Sequence, residues 1–485
     1  MTCLKDGKDG KDGKDGKDGK GEKGGKGGKV ATHQGRPTRK TQKTDAGATP
    51  RVLPALPDVP ALPTTEIIRD PLWDNIRVDH PALLALDTPA VQRLRYIRQV
   101  GHSFLVYPGA THTRFEHALG AYHLTRRALA ALEELGELGP ATEEECLAVR
   151  MAALLHDIGH YPFSHALEEA GFPSHETLGV AKLSQGLLGE RLIQIGGLDF
   201  PRIIGALITG SSRSPLQGLI SGSIDLDKID YLSRDARMCG VPYGTVDVDR
   251  LLSSLTLVEV EPGHFEVGVQ EKGVSALESL LFAKYQMYRN VYWHHAVRSA
   301  TCMFKRAVRI AVRRGSVTVQ AIADATDDGL MELLLARDQS GLASSIRARR
   351  LHKRALDLPA SEVPGDVQPW VTSDPDLLER VEDAIAEQVG LAPGDVLLDF
   401  PARSAMLGVN LPLRTRGGAV ERLTDAGRAG HLGLPRVADE LYRSARRLRI
   451  FVSSPPTRSL EPVVALLTWP AEQVEARVAA ASSLI

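Results

Sequence analysis

The sequence has few cysteines and no long apolar run, and each shortage excludes a class of protein. Its four cysteines are scattered without CxxC spacing, so neither a disulfide framework nor a cysteine-based zinc site is expected. No segment approaches the roughly 20 consecutive apolar residues of a membrane-spanning helix. The N-terminus also lacks the apolar segment of a secretory signal. We therefore predict a cytoplasmic protein with reduced thiols and no membrane partner.

Charge is nearly balanced, with a net value of −1, but lysines are concentrated in the first 43 positions. Residues 5–29 repeat Gly, Lys and Asp with a period of three and contain no proline. This composition favours a hydrated tail over a collagen-like helix. A Pro-rich stretch follows at residues 52–63. We predict that residues 1–63 form a disordered tail and linker, whose contact with nucleic acid is a hypothesis without further support.

A mostly helical pattern begins near Glu66 and continues well past the middle of the chain. Within it, Thr142 and Glu145 have the spacing of a capping box, which marks the start of a helix. The segment Thr256–Val269 alternates around a Pro-Gly pair and predicts a β-hairpin. The run that follows, residues 271–312, predicts either one long helix or a broken pair.

The last third of the chain mixes helical patterns with strand-like runs at Val396–Phe400 and Leu448–Val452. The predicted fold is therefore mostly α, with a helical core at residues 64–312 that includes the small β-hairpin. A smaller α+β portion at residues 313–485 is expected to pack on this core. The chain, at 485 residues, is long enough for both.

Histidines are concentrated in the predicted core, where residues 102–175 contain eight of the fifteen. An ordered series of short motifs contains His117, then the adjacent pair His156 and Asp157, then Asp227. Two imidazoles and two carboxylates suit a divalent first-row metal that keeps open positions for water and substrate. Such a site activates water near neutral pH and holds a phosphate against it. A lone histidine usually packs in a core, but the combined series favours a metal site.

A helix predicted over residues 224–236 has one apolar and one polar face. Ile229, Leu232 and Ala236 have the spacing of a buried stripe. The polar residues of the opposite region are Asp227, Lys228, Tyr231 and Asp235. They could serve as a metal ligand, a cation and a hydroxyl for phosphate, and a carboxylate for a sugar hydroxyl. The alternative is a solvated, charged face with ion pairs along the helix.

Titratable side chains also follow the His-Asp pair closely, and these are His160, His165, Glu168 and His175. An enzyme that breaks a phosphoester bond needs a proton donor for the departing oxygen. A histidine paired with a carboxylate supplies one near neutral pH. The spacing leaves open which histidine is the acid.

Three motifs are specific in combination: TRFEH ending at His117, HDIGHYPFSH at residues 156–165, and IDLDKIDYLSRD ending at Asp235. Two further matches are DTPxxQRLRYIRQ ending at Gln99 and KYxMYxxVYxH beginning at Lys284. Together they resemble the HD-domain deoxynucleoside triphosphate triphosphohydrolases, or dNTPases. The resemblance implies that the helical core is an HD-domain bundle. It also implies metal-dependent hydrolysis of a dNTP to deoxynucleoside and inorganic triphosphate.

The resemblance implies roles for the metal and phosphate contacts. The divalent metal (Mn, Fe, Mg, Zn, Co or Ni) is expected to be held by His117, His156, Asp157 and Asp227. Contacts to the triphosphate are expected from Arg114, Lys228 and Tyr231. Lys284 stands where relatives usually have an arginine for the outer phosphates. Lysine keeps the charge but cannot form the two parallel hydrogen bonds of a guanidinium.

The same resemblance implies roles on the sugar and leaving-group sides. Asp235 and Gln99 are expected to contact the 3′-hydroxyl, and Tyr292 is expected to close the 2′ side of the sugar. The expected catalytic network consists of His160, Glu168 and His175. By the same resemblance, His165 matches the residue that protonates the departing 5′-oxygen.

Relatives of this kind are commonly homo-oligomers regulated by nucleotides. The resemblance therefore implies a dimer, tetramer or hexamer that binds an allosteric nucleotide. Antiviral defence by limiting dNTP pools is a further hypothesis that follows from it. Two alternatives stay open. The first is another HD phosphohydrolase, acting as a nucleotide phosphodiesterase or monophosphatase. The second is a catalytically silent nucleotide sensor, which metal-dependent turnover would exclude.

Overall fold

A computed structural model of the protein describes residues 64–402, 410–423 and 441–485. These described residues belong to one compact unit. The tail and linker predicted for residues 1–63 lie outside the described residues. The described residues are mostly α-helical with short strands, which confirms the predicted fold class.

The core helices begin where the sequence supplies N-terminal caps. Thr142 and Glu145 form the predicted capping box, and Thr113 and Glu116 form a second one. Each box satisfies backbone N–H groups that have no partner inside the helix. In chain order the core helices are α1 (His80–Leu86), α2 (Pro89–Gln92), α3 (Arg114–Glu134), α4 (Glu143–Leu155), α5 (His175–Leu183), α6 (Gly186–Gly196), α7 (Phe200–Ile208), α8 (Leu226–Cys239), α9 (Val248–Leu252), α10 (Val274–Met287) and α11 (His295–Arg313).

The run at residues 271–312 is the broken pair rather than one long helix. A π-helical turn, Tyr288–Tyr292, interrupts it between α10 and α11. Turns of this kind are often found at functional sites. Here the turn carries Tyr292, one of the predicted sugar-binding residues.

The strands of the described residues form three small sheets. β1 (Thr65–Asp70) and β2 (Asp74–Asp79) form an antiparallel hairpin. β3 (Leu255–Glu261) and β4 (His264–Gln270) form the predicted hairpin, whose turn places Gly263 at a φ of 76°. The strands of the last third are β5 (Lys353–Pro359), β6 (Val396–Asp399), β7 (Leu411–Arg414), β8 (Val420–Leu423) and β9 (Arg447–Val452). The two predicted strand-like runs are thus β6 and β9, which pair with each other.

Described strands of the last third of the chain pair with the hairpin of the helical core. The parallel pairing of β4 with β7 extends the core hairpin, and β9 lies between β5 and β6 in the third sheet. The helices of this portion are α12 (Val319–Asp324), α13 (Asp327–Arg337), α14 (Leu342–Arg347), α15 (Trp370–Ser373), α16 (Pro375–Gln388), α17 (Val463–Leu466) and α18 (Ala471–Ala479).

Apolar contacts also cross the predicted boundary between residues 312 and 313. One buried cluster joins Tyr161 and Phe163 of the core to α11 and to apolar residues of α12, α13 and α14. The boundary itself stays a prediction. Within the described ranges, no helix has the combination of length and apolar character that crossing a bilayer requires.

Candidate active site

One cavity of about 240 Å³ gathers most of the predicted site residues. The predicted residues in its lining are Gln99, Arg114, His117, His156, Asp157, His160, His165, His175, Asp227 and Tyr231. Glu176, Ile208, Ile220, Ser221 and Asp225 complete the lining. The predicted residues outside the lining are Glu168, Lys228, Asp235, Lys284 and Tyr292.

Two imidazoles face each other in this cavity. His117 lies in the first turn of α3, and His156 follows the last residue of α4. Their Nε2 atoms are 3.2 Å apart. His156 Nδ1 donates to the Ala153 carbonyl at 2.8 Å, and His117 Nδ1 lies 2.8 Å from an oxygen of Asp230. These partners place a proton on Nδ1 of each ring, so in the neutral rings, which are the forms that bind a metal, both Nε2 atoms carry lone pairs.

A carboxylate completes this group. The Asp157 oxygens lie 3.3 Å from His156 Nε2 and 3.7 Å from His117 Nε2. One ligand atom from each of the three residues lies within 4.8 Å of the others. Two facing lone pairs and a carboxylate without a proton between them repel one another. The donor set therefore fits a divalent cation.

Asp227, the fourth predicted ligand, lies in the first turn of α8 and lines the same cavity. It lies outside the group of three, and its Oδ1 is buried with no hydrogen-bond partner among the described residues. Burial raises the pKa of the Asp227 carboxyl, but the charge of Lys228 and a hydrogen bond with Asp225 lower it below its ordinary value. Asp227 therefore offers a negatively charged, buried oxygen in the same cavity as His117, His156 and Asp157, and this also fits a bound cation.

A second titratable group lies on another wall of the cavity. Glu168 accepts hydrogen bonds from Nδ1 of His165 and Nδ1 of His175, each at 3.0 Å. Burial raises the pKa of Glu168, but these two hydrogen bonds outweigh it and lower the pKa to about 2. An ionised Glu168 keeps the Nδ1 protons in place, so Nε2 is the reactive atom of each imidazole. These same residues, with His160, could also ligate a metal.

His160 has a different environment from these two histidines. Its ring stacks on that of His175 with centroids 3.8 Å apart, and its Nε2 lies 3.0 Å from Asp157. Burial, together with the charge of Arg114, lowers the pKa of His160 well below its ordinary value. His160 is therefore neutral at physiological pH, whereas His165 is exposed to solvent.

The cations near the cavity are held by carboxylates. Arg114 Nη1 lies 2.5 Å from Asp157, and its Nε donates to Ser164 Oγ at 3.2 Å. Lys228 contacts Asp225, which lies in the cavity lining. Lys284 is buried outside the lining, and burial together with the charge of Lys228 lowers its pKa to about 8.

Tyr292 and Asp235 form a hydrogen-bonded pair beside the cavity. The Tyr292 hydroxyl donates to Asp235 Oδ2 at 2.6 Å, and His112 Nε2 lies 2.7 Å from Asp235 Oδ1. Gln99 lies in the lining, and its Oε1 is buried with no hydrogen-bond partner in the part of the chain that the structure describes. Asp235 is buried, and Asp227 and Tyr231 are only partly exposed, so this side of α8 is not the solvated face of the alternative interpretation.

Several residues of the site were not predicted from the sequence. Asp230 orients His117 and also pairs with the buried Arg234, which in turn contacts Asp70. His112 holds Asp235. Asp230 lies in the same motif as Asp227, and this was the available signal. Its role depends on α3 packing against α8, which spacing alone does not reveal.

Comparisons with known proteins match two adjoining parts of the chain. Residues 114–235 match the HD domain, and residues 246–428 match the HD-associated region. The first match begins at Arg114 and ends at Asp235, so it contains the three facing ligand candidates and Asp227.

Relatives cover much of the chain. An uncharacterised protein of Methanocaldococcus jannaschii is 34% identical over 338 residues, which is 69% of each chain. The deoxynucleoside triphosphate triphosphohydrolase SAMHD1 of Bos taurus is 27% identical over 72% of this chain and 66% of its own. For this enzyme, the chain thus spans slightly less than two thirds of the relative's length.

A solved structure shows a similar fold. A hypothetical protein from Aquifex aeolicus is 27% identical and superposes with a TM-score of 0.62, covering 80% of this chain and 96% of its own. The comparisons of sequence and the comparison of structure thus give the same result, a relationship to known proteins over most of the described chain. The chain therefore belongs to the family of HD-domain proteins that is related to the deoxynucleoside triphosphate triphosphohydrolases.

Proposed function

We propose that this protein hydrolyses deoxynucleoside triphosphates to a deoxynucleoside and inorganic triphosphate. The observation that carries the proposal is the convergence of His117 Nε2, His156 Nε2 and Asp157 in one cavity. The same cavity contains Arg114 and His165, a cation for phosphate and an imidazole paired with a carboxylate. The relationship to enzymes named for dNTP hydrolysis supports this substrate class.

The proposed metal ligands are His117, His156, Asp157 and Asp227. When bound, a divalent metal (Mn, Fe, Mg, Zn, Co or Ni) supplies an activated water near neutral pH and offsets phosphate charge. The chain's own contribution is orientation. Asp230 holds His117 in the tautomer that directs its lone pair towards His156.

Arg114, Lys228 and Tyr231 bind the triphosphate in this proposal. The Asp157 and Ser164 contacts orient the Arg114 guanidinium before substrate arrives. Burial lowers the pKa of Lys228, but the adjacent aspartates raise it above its ordinary value, so the ammonium stays charged. Preoriented cations stabilise the charge that develops on the phosphate oxygens during attack. Lys284 adds a weaker contact to the outer phosphates.

His165 donates its proton to the departing 5′-oxygen in this proposal. Glu168 accepts from His165 Nδ1 and stabilises the protonated imidazole before transfer. His175 shares the same carboxylate and keeps it fixed, while the neutral His160 packs between these rings and Asp157.

Sugar recognition is proposed for Asp235, Gln99 and Tyr292. In this proposal Asp235 and Gln99 contact the 3′-hydroxyl. Tyr292 and His112 orient Asp235, and Gln99 Oε1 finds no hydrogen-bond partner within the described ranges. The ring of Tyr292 closes the 2′ side. A site that hydrogen-bonds one hydroxyl discriminates against analogues without it, since buried polar groups are then left unpaired.

The direct test is to incubate the purified protein with each dNTP, singly and mixed, and with each divalent metal in turn. Release of deoxynucleoside and intact triphosphate is expected. Release of pyrophosphate or of a monophosphate instead would favour another HD phosphohydrolase. Absence of turnover with every metal would favour the nucleotide sensor.

Assembly and regulation belong to the same proposal. Faster turnover with mixed dNTPs than with single ones would support an allosteric nucleotide. Light scattering with and without nucleotide distinguishes a dimer, a tetramer and a hexamer. The cytoplasmic location stays a prediction.

A further inference from the structure

The loop between His160 and His165 contains two adjacent non-glycine residues in the left-handed region. Phe163 has a φ of 58° and a ψ of 26°, and Ser164 has a φ of 64°. Residues with a Cβ avoid this conformation because of steric crowding, so surrounding contacts must hold it. Such backbone conformations are concentrated at functional sites.

This left-handed turn connects several residues of the cavity. Ser164 Oγ lies 2.8 Å from the Arg98 carbonyl and 2.9 Å from the Gln99 carbonyl, and it accepts from Arg114 Nε at 3.2 Å. The next residue in the chain is His165. The turn thus links the backbone of Gln99 on the sugar side to the imidazole on the leaving-group side.

A buried carboxylate from the last third of the chain holds the turn. Asp327, the first residue of α13, accepts from the Phe163 N–H at 2.8 Å through Oδ1. Its Oδ2 accepts from the Arg98 N–H at 3.0 Å and from the Arg98 guanidinium at 3.2 Å. Asp327 is 1% exposed and is not part of the cavity lining. The Asp327 carboxylate therefore holds both the turn at Phe163 and the segment at Arg98, which Ser164 also connects.

We propose that Asp327 is a positioning residue, which acts on substrate through His165. The inference rests on the proposed function, since it concerns the placement of the proposed proton donor. Without the carboxylate, the Phe163 amide loses its acceptor and the left-handed turn relaxes. His165 then moves relative to the 5′-oxygen. The metal ligands stay in place, because they lie at the ends of α3, α4 and α8.

The experiment compares Asp327→Ala and Asp327→Asn with a matched control, Asp328→Asn. Asp328 is the next residue of α13 and is exposed, so its replacement also removes a negative charge from the first turn. Turnover is measured on a dNTP and on its analogue with sulfur at the 5′ bridging position. A thiolate departs without protonation, so the analogue does not need the acid.

Asp327→Ala is expected to lower kcat on the dNTP by roughly tenfold or more, because general acid catalysis contributes about 100-fold or more when intact. It should lower kcat on the sulfur analogue by less than about threefold by the same reasoning. The kcat of Asp327→Asn on the dNTP should lie between those of Asp327→Ala and the unmodified enzyme, since its amide oxygen replaces one acceptor. The kcat of Asp328→Asn should match that of the unmodified enzyme. Bound metal should be unchanged throughout. Equal losses on both substrates, or no loss on either, would overturn the proposal.

Amide hydrogen exchange gives a second measurement that does not depend on turnover. Peptides covering residues 161–168 should exchange faster in Asp327→Asn than in Asp328→Asn, and unchanged exchange would overturn the proposal. If the unmodified protein releases no triphosphate from any dNTP, the proposed function fails. The exchange comparison still decides whether Asp327 holds the turn.

Discussion

Asp230 accepts from His117 Nδ1 at 2.8 Å, and this contact determines which ring nitrogen of His117 faces the cavity. His156 is oriented in the same way by a backbone carbonyl. The two Nε2 lone pairs meet 3.2 Å apart as a result. A carboxylate behind a ligating imidazole is a common means of fixing the tautomer and increasing the basicity of a metal ligand.

Asp230→Asn is expected to weaken metal binding by about 10- to 100-fold, because an amide can donate to Nδ1 and favour the wrong tautomer. Dialysis against graded chelator, followed by metal analysis, measures the change. Asp249→Asn is the control, since Asp249 is an exposed partner of Arg127. Unchanged affinity in Asp230→Asn would exclude the orienting role.

Replacing the proposed ligands should abolish turnover and lower bound metal without unfolding the protein. The variants are Asp227→Ala and the double variant His156→Ala with Asp157→Ala. His264→Ala, at an exposed hairpin position, controls for the loss of an imidazole. Circular dichroism and metal content are measured beside activity, and full activity in either variant would contradict the assignment.

Sugar selectivity tests the role of Tyr292. We expect dNTPs to be cleaved far faster than NTPs and 3′-deoxy analogues to be poor substrates. Tyr292→Ala should relax the exclusion of ribose by removing the ring. Tyr292→Phe is the matched variant, because it keeps the ring and loses only the hydrogen bond to Asp235. Comparable rates on ATP and dATP in the unmodified protein would favour the broader phosphohydrolase.

Stability should depend on pH through Glu382 in α16. Burial raises the pKa of Glu382 from 4.5 to about 7, although Arg306 opposes the change. Between these values the folded carboxyl keeps a proton that the unfolded one has lost, so stability falls as pH rises through this window. The loss amounts to about 3 kcal/mol at 1.36 kcal/mol per pKa unit.

Glu382→Gln cannot ionise, so it should not lose stability in this window. Its free energy of unfolding, relative to that of the unmodified protein, should therefore increase as pH rises from 5 to 8. Denaturant unfolding at both values measures the difference. Glu387→Gln, an exposed position of the same helix, is the control and should show no such gain. If the difference in free energy of unfolding between Glu382→Gln and the unmodified protein were the same at pH 5 and pH 8, the raised pKa would be contradicted.

Deleting residues 1–45 should leave specific activity within about twofold. The reason is compositional, since a Gly-, Lys- and Asp-rich repeat cannot bury enough apolar surface to form part of a core. Turnover per subunit of the assembled enzyme is the measurement. A collapse of activity in this truncation would mean that the tail orders on a partner.

The sequence alone was sufficient for the helical fold class, the capping box at Thr142, and the hairpin of β3 and β4. It also named ten of the fifteen residues that line the cavity. These features depend on local chemistry. Capping uses residues three positions apart, a hairpin turn needs glycine at positive φ, and metal ligands are restricted to a few residue types. Motifs with several such residues at short spacing can therefore be recognised from the sequence without the tertiary structure.

Only the tertiary structure decided which atoms face one another. Asp230 and His117 are 113 residues apart, and Asp327 and Phe163 are 164 apart. Neither contact follows from periodicity, because each depends on how helices pack and on which polar groups burial leaves without water. A buried donor or acceptor must find a partner inside the protein, wherever the chain supplies one. The ligand candidates are therefore readable from the sequence, whereas their orientation is a property of the folded chain.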